Sequence, residues 1–125
     1  MRSDEVRYAE MMVADADIVL VAYGTASRVC QTALKLARSE GLRVGLFRPI
    51  SLFPFPIQQI SDLAKSAKMF LVAELSSGQM VEDVRLAAAG KVPVHLVSRL
   101  GGMQLTPEEV LVAIKELGGN EGGAN

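Results

Sequence analysis

The chain has 125 residues, of which half are apolar, and its formal net charge is −1 at pH 7. This length suffices for one domain with a single core, and the balanced charge argues against a nucleic-acid-binding protein, which would carry a basic stripe. The longest apolar runs are strand-sized, so we expect no membrane span and no signal peptide. The single cysteine excludes an internal disulfide and a cysteine-ligated iron–sulfur cluster or zinc knuckle in this chain, and it fits a reducing cytoplasm.

The first clear element is the continuous apolar run from Ile18 to Tyr23, which is rich in β-branched residues. Such a run is typical of a parallel strand that is covered on both faces. Ser27 can cap the helix that follows, and Gly41 stands where a glycine usually ends a helix. The apolar stripe of this helix comprises Ala26, Val29, Cys30, Ala33 and Ala37.

Three further strand-and-helix pairs follow along the chain. The strands are predicted at 43–47, 69–73 and 94–97, and the helices begin near Pro56, at Gln79 and at Pro107. Thr106 precedes the last helix as a cap, and two acidic residues in its first turn favour the helix dipole. Residues 118–125 hold four glycines and no aliphatic residue larger than alanine, which predicts a disordered tail.

This alternation predicts an α/β fold, a three-layer α/β/α sandwich around a mostly parallel sheet of about five strands. The stretch from Val6 to Val13 is ambiguous between a strand and a helical turn, and we interpret it as an additional edge strand. The predicted domain extends from residue 6 to residue 117, with no internal repeat and no second domain.

Short polar segments follow four of the predicted strands, at their carboxyl ends. In an open parallel sheet this edge is where ligands and partners bind. The predicted ligand- or partner-binding edge comprises Tyr23, Gly24, Thr25, Ser27, Arg48, Glu74, Gly78, Gln79 and Arg99. These residues do not make a complete catalytic set, so we predict no catalytic residue in the chain.

The segment from Gly24 to Ser27 joins a strand to a helix, which is a generic anion site. It has neither the glycines of a dinucleotide-binding fingerprint nor the Gly-Lys-Ser/Thr of a phosphate-binding loop, so we favour a tight structural turn. Glu74 could act as a general acid or base. We favour a structural or interface role, in which Glu74 pairs with Arg48 or Arg99, because an unpaired charge there would be costly.

Two other residue types invite a chemical interpretation. Cys30 falls within the apolar stripe of its helix, so a buried, unreactive thiol is favoured over a nucleophile. His95 is the chain's one histidine and lies inside a short predicted strand. A packed residue is favoured over a metal ligand, and we predict no metal site.

From about Tyr8 to Leu117 the sequence resembles the transketolase carboxyl-terminal-like domain of 2-oxoacid:ferredoxin oxidoreductase α chains. The resemblance rests on the order and spacing of several segments over nearly the whole chain. They are the run from Asp15 to Thr25, the segment from Gly45 to Pro49, the segment from Leu52 to Pro56, Glu74 with Gly78, Gln79 and Met80, and the pair Gly101 and Gly102.

The resemblance implies an enzyme that decarboxylates a 2-oxoacid oxidatively to an acyl-coenzyme A and reduces ferredoxin. It implies thiamine diphosphate, magnesium, iron–sulfur clusters and coenzyme A for the whole enzyme, but none of these is expected in this chain, which lacks the Gly-Asp-Gly…Asn pattern for magnesium and diphosphate. The implied role is assembly with other domains or subunits, with contact to coenzyme A left open. An antiparallel edge strand is also implied. A homodimer and a stand-alone nucleotide- or coenzyme A-binding module stay open as alternatives.

Overall fold

A computed structural model describes residues 8–50, 56–74, 79–98 and 105–123 of the chain, and strands and helices alternate along them. Helices α1 to α4 follow strands β2 to β5 in turn, as the sequence predicts. In chain order the elements are β1 (Tyr8–Met11), β2 (Ile18–Val21), α1 (Thr25–Ser39), β3 (Val44–Pro49), α2 (Ile57–Leu63), β4 (Met69–Glu74), α3 (Gln79–Ala88), β5 (Val94–Ser98) and α4 (Pro107–Gly123).

The strands form one sheet in the order β1-β3-β2-β4-β5. Strands β2, β3, β4 and β5 are parallel to one another, whereas β1 pairs with β3 in the antiparallel sense, with Tyr8 opposite Pro49 and Met11 opposite Leu46. The predicted mostly parallel sheet of five strands, with an antiparallel edge strand, is therefore confirmed. The edge strand lies within the ambiguous stretch from Val6 to Val13.

The two faces of the sheet are covered by different helices, so each face has its own core. Leu20, Leu46 and Leu71 pack on one face with α1 and α4, whereas Phe47 and Val72 pack on the other face with α2 and α3. All four residues of β2 are buried, because this strand is central and covered on both sides. The helix that follows β2 therefore packs on one face of the sheet, whereas the helices that follow β3 and β4 pack on the other face.

Helix α1 begins differently from the prediction. Gly24, not Ser27, is the residue before the first turn, and its φ of 63° and ψ of −140° lie in a region that only glycine adopts readily. Ser27 lies inside the helix, where its hydroxyl donates to the carbonyl oxygen of Gly24 at 2.6 Å. The predicted cap at Ser27 is therefore wrong, since the positive φ of Gly24 allows the helix to begin three residues earlier.

The other predicted helix boundaries can be compared directly. Gly41 follows α1 with φ 85°, as predicted, and its N–H donates to the Arg38 carbonyl oxygen at 3.0 Å. Thr106 and Glu109 form a reciprocal capping box at the start of α4, with distances of 3.1 and 3.2 Å. The structure continues α4 through Gly123, six residues beyond the predicted boundary at Leu117. Disorder of residues 118–125 in solution stays a prediction.

At the amino-terminal edge of the parallel strands, Arg38 closes the connection between β1 and β2. Its guanidinium donates to both carboxylate oxygens of Asp15, at 2.7 and 3.1 Å, and to the carbonyl oxygens of Met12 and Val44, both at 2.9 Å. Gly45 lies under the same connection, where a Cβ atom would lie 2.7 Å from the Met12 carbonyl oxygen. No helix in the described part of the chain is long and apolar enough to cross a bilayer.

Candidate functional site

The carboxyl ends of β2 and β4 form the switch point of the sheet. From β2 the chain passes into α1 on one face, whereas the helix after β4, α3, packs on the opposite face. Such divergence opens a crevice between two adjacent strand ends, and this is where α/β domains bind ligands. The parallel register pairs Val21 with Val72, which places Tyr23 level with Glu74 across the crevice.

The β2 side of the crevice presents the start of α1. No side chain caps this helix, and its first turn holds no acidic residue. Thr25 and Gly24 are exposed, whereas Ser27 is buried with its hydroxyl bonded to the Gly24 carbonyl oxygen. This segment is a tight turn in which the Ser27 hydroxyl is bonded within the turn itself, and a structural turn is what the sequence favours.

The β4 side of the crevice is closed by Glu74, whose side chain is only 3% exposed. Its Oε2 atom accepts a hydrogen bond of 3.0 Å from the backbone N–H of Val81, in the first turn of α3. A carboxylate at a helix amino terminus also interacts favourably with the helix dipole. Glu74 therefore holds α3 against the end of β4, which is a structural role.

The expected ion pair between Glu74 and Arg48 does not form. Arg48 follows Phe47 on β3, and since side chains alternate along a strand, it lies on the α1–α4 face, opposite to the face of Phe47. Glu74 shares the α2–α3 face with Val72, and β2 separates the two strands. The spacing of residues in the sequence could not reveal that Arg48 and Glu74 are apart, because their distance depends on the order of the strands in the sheet.

The remaining predicted edge residues are only partly described. Gly78 and Arg99 lie outside the described residues, so pairing of Glu74 with Arg99 stays a prediction. Gln79 is the first residue of α3, and Ser98 ends β5 opposite Glu74. Together the described positions bring Tyr23, Gly24, Arg48 and Glu74 to one edge of the sheet, as the sequence predicts.

The described residues do not fit a metal or a cluster. Within those residues no three His, Cys, Asp or Glu side chains are grouped closely enough to hold a metal ion. Cys30 is fully buried in the α1–α4 core, and burial raises the pKa of its thiol to about 12, so the thiolate nucleophile is suppressed. The predicted burial of Cys30 is confirmed, and its lack of reactivity stays a prediction.

Sequence reasoning predicted Tyr23 at this edge but missed three further exposed apolar residues, Tyr8, Ile50 and Ile57. Tyr8 lies at this edge because β1 is antiparallel, and its ring stacks on that of Phe47 with centroids 5.2 Å apart. Tyr8, Tyr23, Ile50 and Ile57 are between 40% and 56% exposed, and we call these four residues the apolar rim. For Tyr8 the sequence offers one signal, which is an aromatic residue in the ambiguous edge strand. The strand pairing is needed to place this residue at the carboxyl edge.

The sheet order and the flanking helices define a transketolase-like α/β domain. A family model described as "Pyruvate:ferredoxin oxidoreductase core domain II" matches residues 16–110. The chain belongs to this family, which confirms the resemblance drawn from its sequence.

Relatives and solved structures agree with that assignment. The chain is 49% identical over 119 residues to ketoisovalerate oxidoreductase subunit VorB of Methanothermobacter marburgensis, covering 95% of this chain and 34% of the relative. It is 41% identical over 97 residues to 2-oxoglutarate synthase subunit KorA of the same organism, covering 78% of this chain and 26% of the relative. The chain thus spans about a third of the length of the VorB relative.

Among solved structures, the chain resembles a 2-oxoglutarate:ferredoxin oxidoreductase from Magnetococcus marinus, determined with 2-oxoglutarate, coenzyme A and succinyl-CoA bound. The TM-score is 0.78 at 25% identity, with 88% of this chain and 19% of that chain covered. A split-gene transketolase gives a TM-score of 0.76 at 20% identity, covering 88% and 40% of the respective chains. The second likeness concerns the fold alone.

Proposed function

We propose that this chain serves as a non-catalytic partner-contact domain of a cytoplasmic 2-oxoacid:ferredoxin oxidoreductase. The complete enzyme would decarboxylate a 2-oxoacid, form an acyl-coenzyme A and transfer the electrons to ferredoxin. Thiamine diphosphate, magnesium and iron–sulfur clusters would be held by other domains or subunits. The observation that carries this proposal is the family match over residues 16–110 in a chain that spans only a third of its VorB relative.

Two turnover assays test whether this chain is non-catalytic and whether the complete enzyme acts on 2-oxoacids. The purified chain is incubated with thiamine diphosphate, magnesium, coenzyme A, an electron acceptor and a panel of 2-oxoacids, beside the complete oxidoreductase that contains it. We expect turnover only from the complete enzyme. Turnover by the chain alone would contradict the non-catalytic role, and no turnover by the complete enzyme with any 2-oxoacid would contradict the proposed enzyme.

The contact role is supported by the edge itself. Arg48 is exposed at the end of a strand whose other residues are buried, and within the described residues it has no ion-pair partner. An exposed guanidinium above a buried strand can pair with a carboxylate of a neighbouring domain. We therefore propose that Arg48 and the β2–α1 turn face partner domains in the complete enzyme.

The test of this contact is Arg48→Ala in the complete enzyme, with subunit association and turnover measured. Arg85→Ala is the matched control, because Arg85 is also exposed but pairs with Glu82 on the outer surface of α3. We expect the Arg48 variant to weaken association by about 2 kcal/mol or more if the pair is desolvated, and the control to change it by less than about 1 kcal/mol. Equal behaviour of the two variants would contradict the contact at Arg48.

The substrate is proposed to be a branched-chain 2-oxoacid such as ketoisovalerate. The support is the identity of 49% to a ketoisovalerate oxidoreductase subunit, against 41% to a 2-oxoglutarate synthase subunit. The complete enzyme should therefore show a higher kcat/KM for ketoisovalerate than for 2-oxoglutarate or pyruvate. A preference for 2-oxoglutarate would contradict this assignment and leave the contact role intact.

A second candidate function is binding of coenzyme A or a nucleotide by this domain itself. It is favoured by the uncapped start of α1, which lacks acidic residues, and by a structural relative that was solved with coenzyme A bound. Coenzyme A and adenine nucleotides are titrated while thermal unfolding of the chain is followed. A ligand at 100 times its Kd should add about 2.7 kcal/mol of stability, and a flat response would exclude this candidate.

A further inference from the structure

The apolar rim is distinct from the polar groups that the proposed contact role uses. Tyr8 begins β1 opposite Pro49, Ile50 directly follows β3, Tyr23 follows β2, and Ile57 opens α2. The parallel register pairs Val21 with Phe47, which places Tyr23 level with Pro49, the partner of Tyr8. The rim therefore runs across three adjacent strand ends.

The chemistry of the rim is that of a protein contact. Tyr8 lies on the α2–α3 face, because it stacks on the fully buried Phe47 of that core, and α2 begins on the same face. Half-exposed tyrosine and isoleucine residues near neighbouring strand ends are typical of interfaces, where tyrosine is enriched. Glu10 lies on the same face of β1 and bounds the rim with a charge.

We propose that the apolar rim is a docking surface for an apolar face of another domain of the same oxidoreductase. The choice of this occupant rests on two observations. The matching family is one domain of a core, and the VorB relative has about two thirds of its length outside the matched region. This inference rests on the proposed function, and it assigns the apolar part of the contact to residues other than Arg48.

The first experiment measures accessibility within the complete enzyme. Ile50→Cys and Leu86→Cys variants are reacted with a maleimide, and labelling of each site is followed by peptide mass spectrometry and normalised to the unfolded enzyme. Leu86 is the matched control, because it is an exposed aliphatic residue on α3. The native Cys30 is buried and contributes little labelling.

We expect Ile50→Cys to react at least about tenfold more slowly than Leu86→Cys, since residues in a well-packed interface are shielded from water. Equal labelling rates would overturn the proposal. The proposed function is tested separately by measuring turnover of the wild-type complete enzyme. If that enzyme is active and the two variants are labelled equally fast, only the docking surface is refuted.

The second experiment identifies the occupant. A short bifunctional maleimide is attached at Ile50→Cys in the complete enzyme, and the crosslinked peptide is sequenced. A crosslink to another domain of the oxidoreductase supports the proposal, whereas a crosslink to a second copy of this domain overturns it.

As a functional check, Ile50→Ser should weaken assembly by about tenfold and Val112→Ser, on α4, by less than about twofold. Equal effects of these two substitutions would also overturn the proposal.

Discussion

The amino-terminal and carboxyl-terminal edges of the parallel strands differ in how many of their groups are bonded within the domain. At the amino-terminal edge, one arginine binds the carboxylate of Asp15 and two backbone carbonyl oxygens, and Gly45 lets the β1–β2 connection pack directly on β3. At the carboxyl edge, Arg48 and the apolar rim are exposed, whereas Glu74 and Ser27 are buried and bonded to backbone groups. The amino edge is closed by contacts within the domain, whereas the carboxyl edge keeps the exposed groups that the proposed contact would use.

The largest expected effect on the amino edge comes from Gly45→Ala. The new Cβ would lie 2.7 Å from the Met12 carbonyl oxygen and 2.8 Å from the Val13 Cα, and both are backbone atoms that cannot rotate away. We expect a loss of about 3 kcal/mol in the free energy of unfolding, measured by urea denaturation.

The control for this substitution is Gly90→Ala. Gly90 has φ 77° and open space around its missing side chain, so the substitution adds backbone strain without a clash. We expect a loss of about 1 kcal/mol. If both variants lose the same free energy, the close approach at Gly45 does not govern stability at this edge.

The next largest effect is expected from substitution of Glu74 at the carboxyl edge. Glu74→Ala removes the buried acceptor of the Val81 N–H, so we expect a loss of about 2 kcal/mol in unfolding free energy. Glu74→Gln keeps an acceptor oxygen and should lose less than about 1 kcal/mol. In the complete enzyme, turnover by the Gln variant should stay near the wild-type value. A large loss of turnover in a stable Gln variant would show that Glu74 is catalytic or contacts a partner.

Much of the fold was predictable because local signals agree with the tertiary structure. The buried run of β2, the glycine after α1 and the Thr106 cap each specify an element or its boundary through backbone and burial physics. The antiparallel β1 came from family resemblance, since the four-residue strand has a half-buried pattern that propensity alone does not resolve.

The site was predictable only as an edge, not as a set of contacts. Strand ends identify which residues reach the carboxyl edge, and Tyr23, Gly24, Arg48 and Glu74 do lie there. Their partners depend on which strand lies between them and on which face each side chain lies. For this reason the ion pair between Arg48 and Glu74 was wrongly expected, and the bond from Val81 to Glu74 was missed.

A smaller effect is expected at the Arg38 network. Arg38→Met removes the donors to the Met12 and Val44 carbonyl oxygens and to Asp15, and it keeps most of the apolar stem. We expect a loss of about 1.5 kcal/mol in unfolding free energy. Arg38→Lys should recover less than half of it, because an ammonium group cannot reproduce the planar guanidinium fork. Full recovery by lysine would mean that charge, not geometry, closes this edge.

The smallest effect is the pH dependence of the same network. The hydrogen bond from Arg38 lowers the pKa of the Asp15 carboxyl below its ordinary value of 3.8. A group whose pKa is lower in the folded state stabilises the fold above its unfolded pKa, and this contribution is lost as the pH falls through the folded value. The stability difference between the wild type and Asp15→Asn should therefore be constant from about pH 5 to pH 8 and should shrink below about pH 4.

The matched test repeats this comparison in the Arg38→Met background, where Asp15 has lost its partner. There the difference between Asp and Asn at position 15 should vary less with pH, because the largest cause of the lowered pKa has been removed. Raised salt should weaken the wild-type effect in part, since Asp15 is exposed and its attraction to Arg38 is screened. If the acid-dependent difference persisted without Arg38, another group would be lowering the Asp15 pKa.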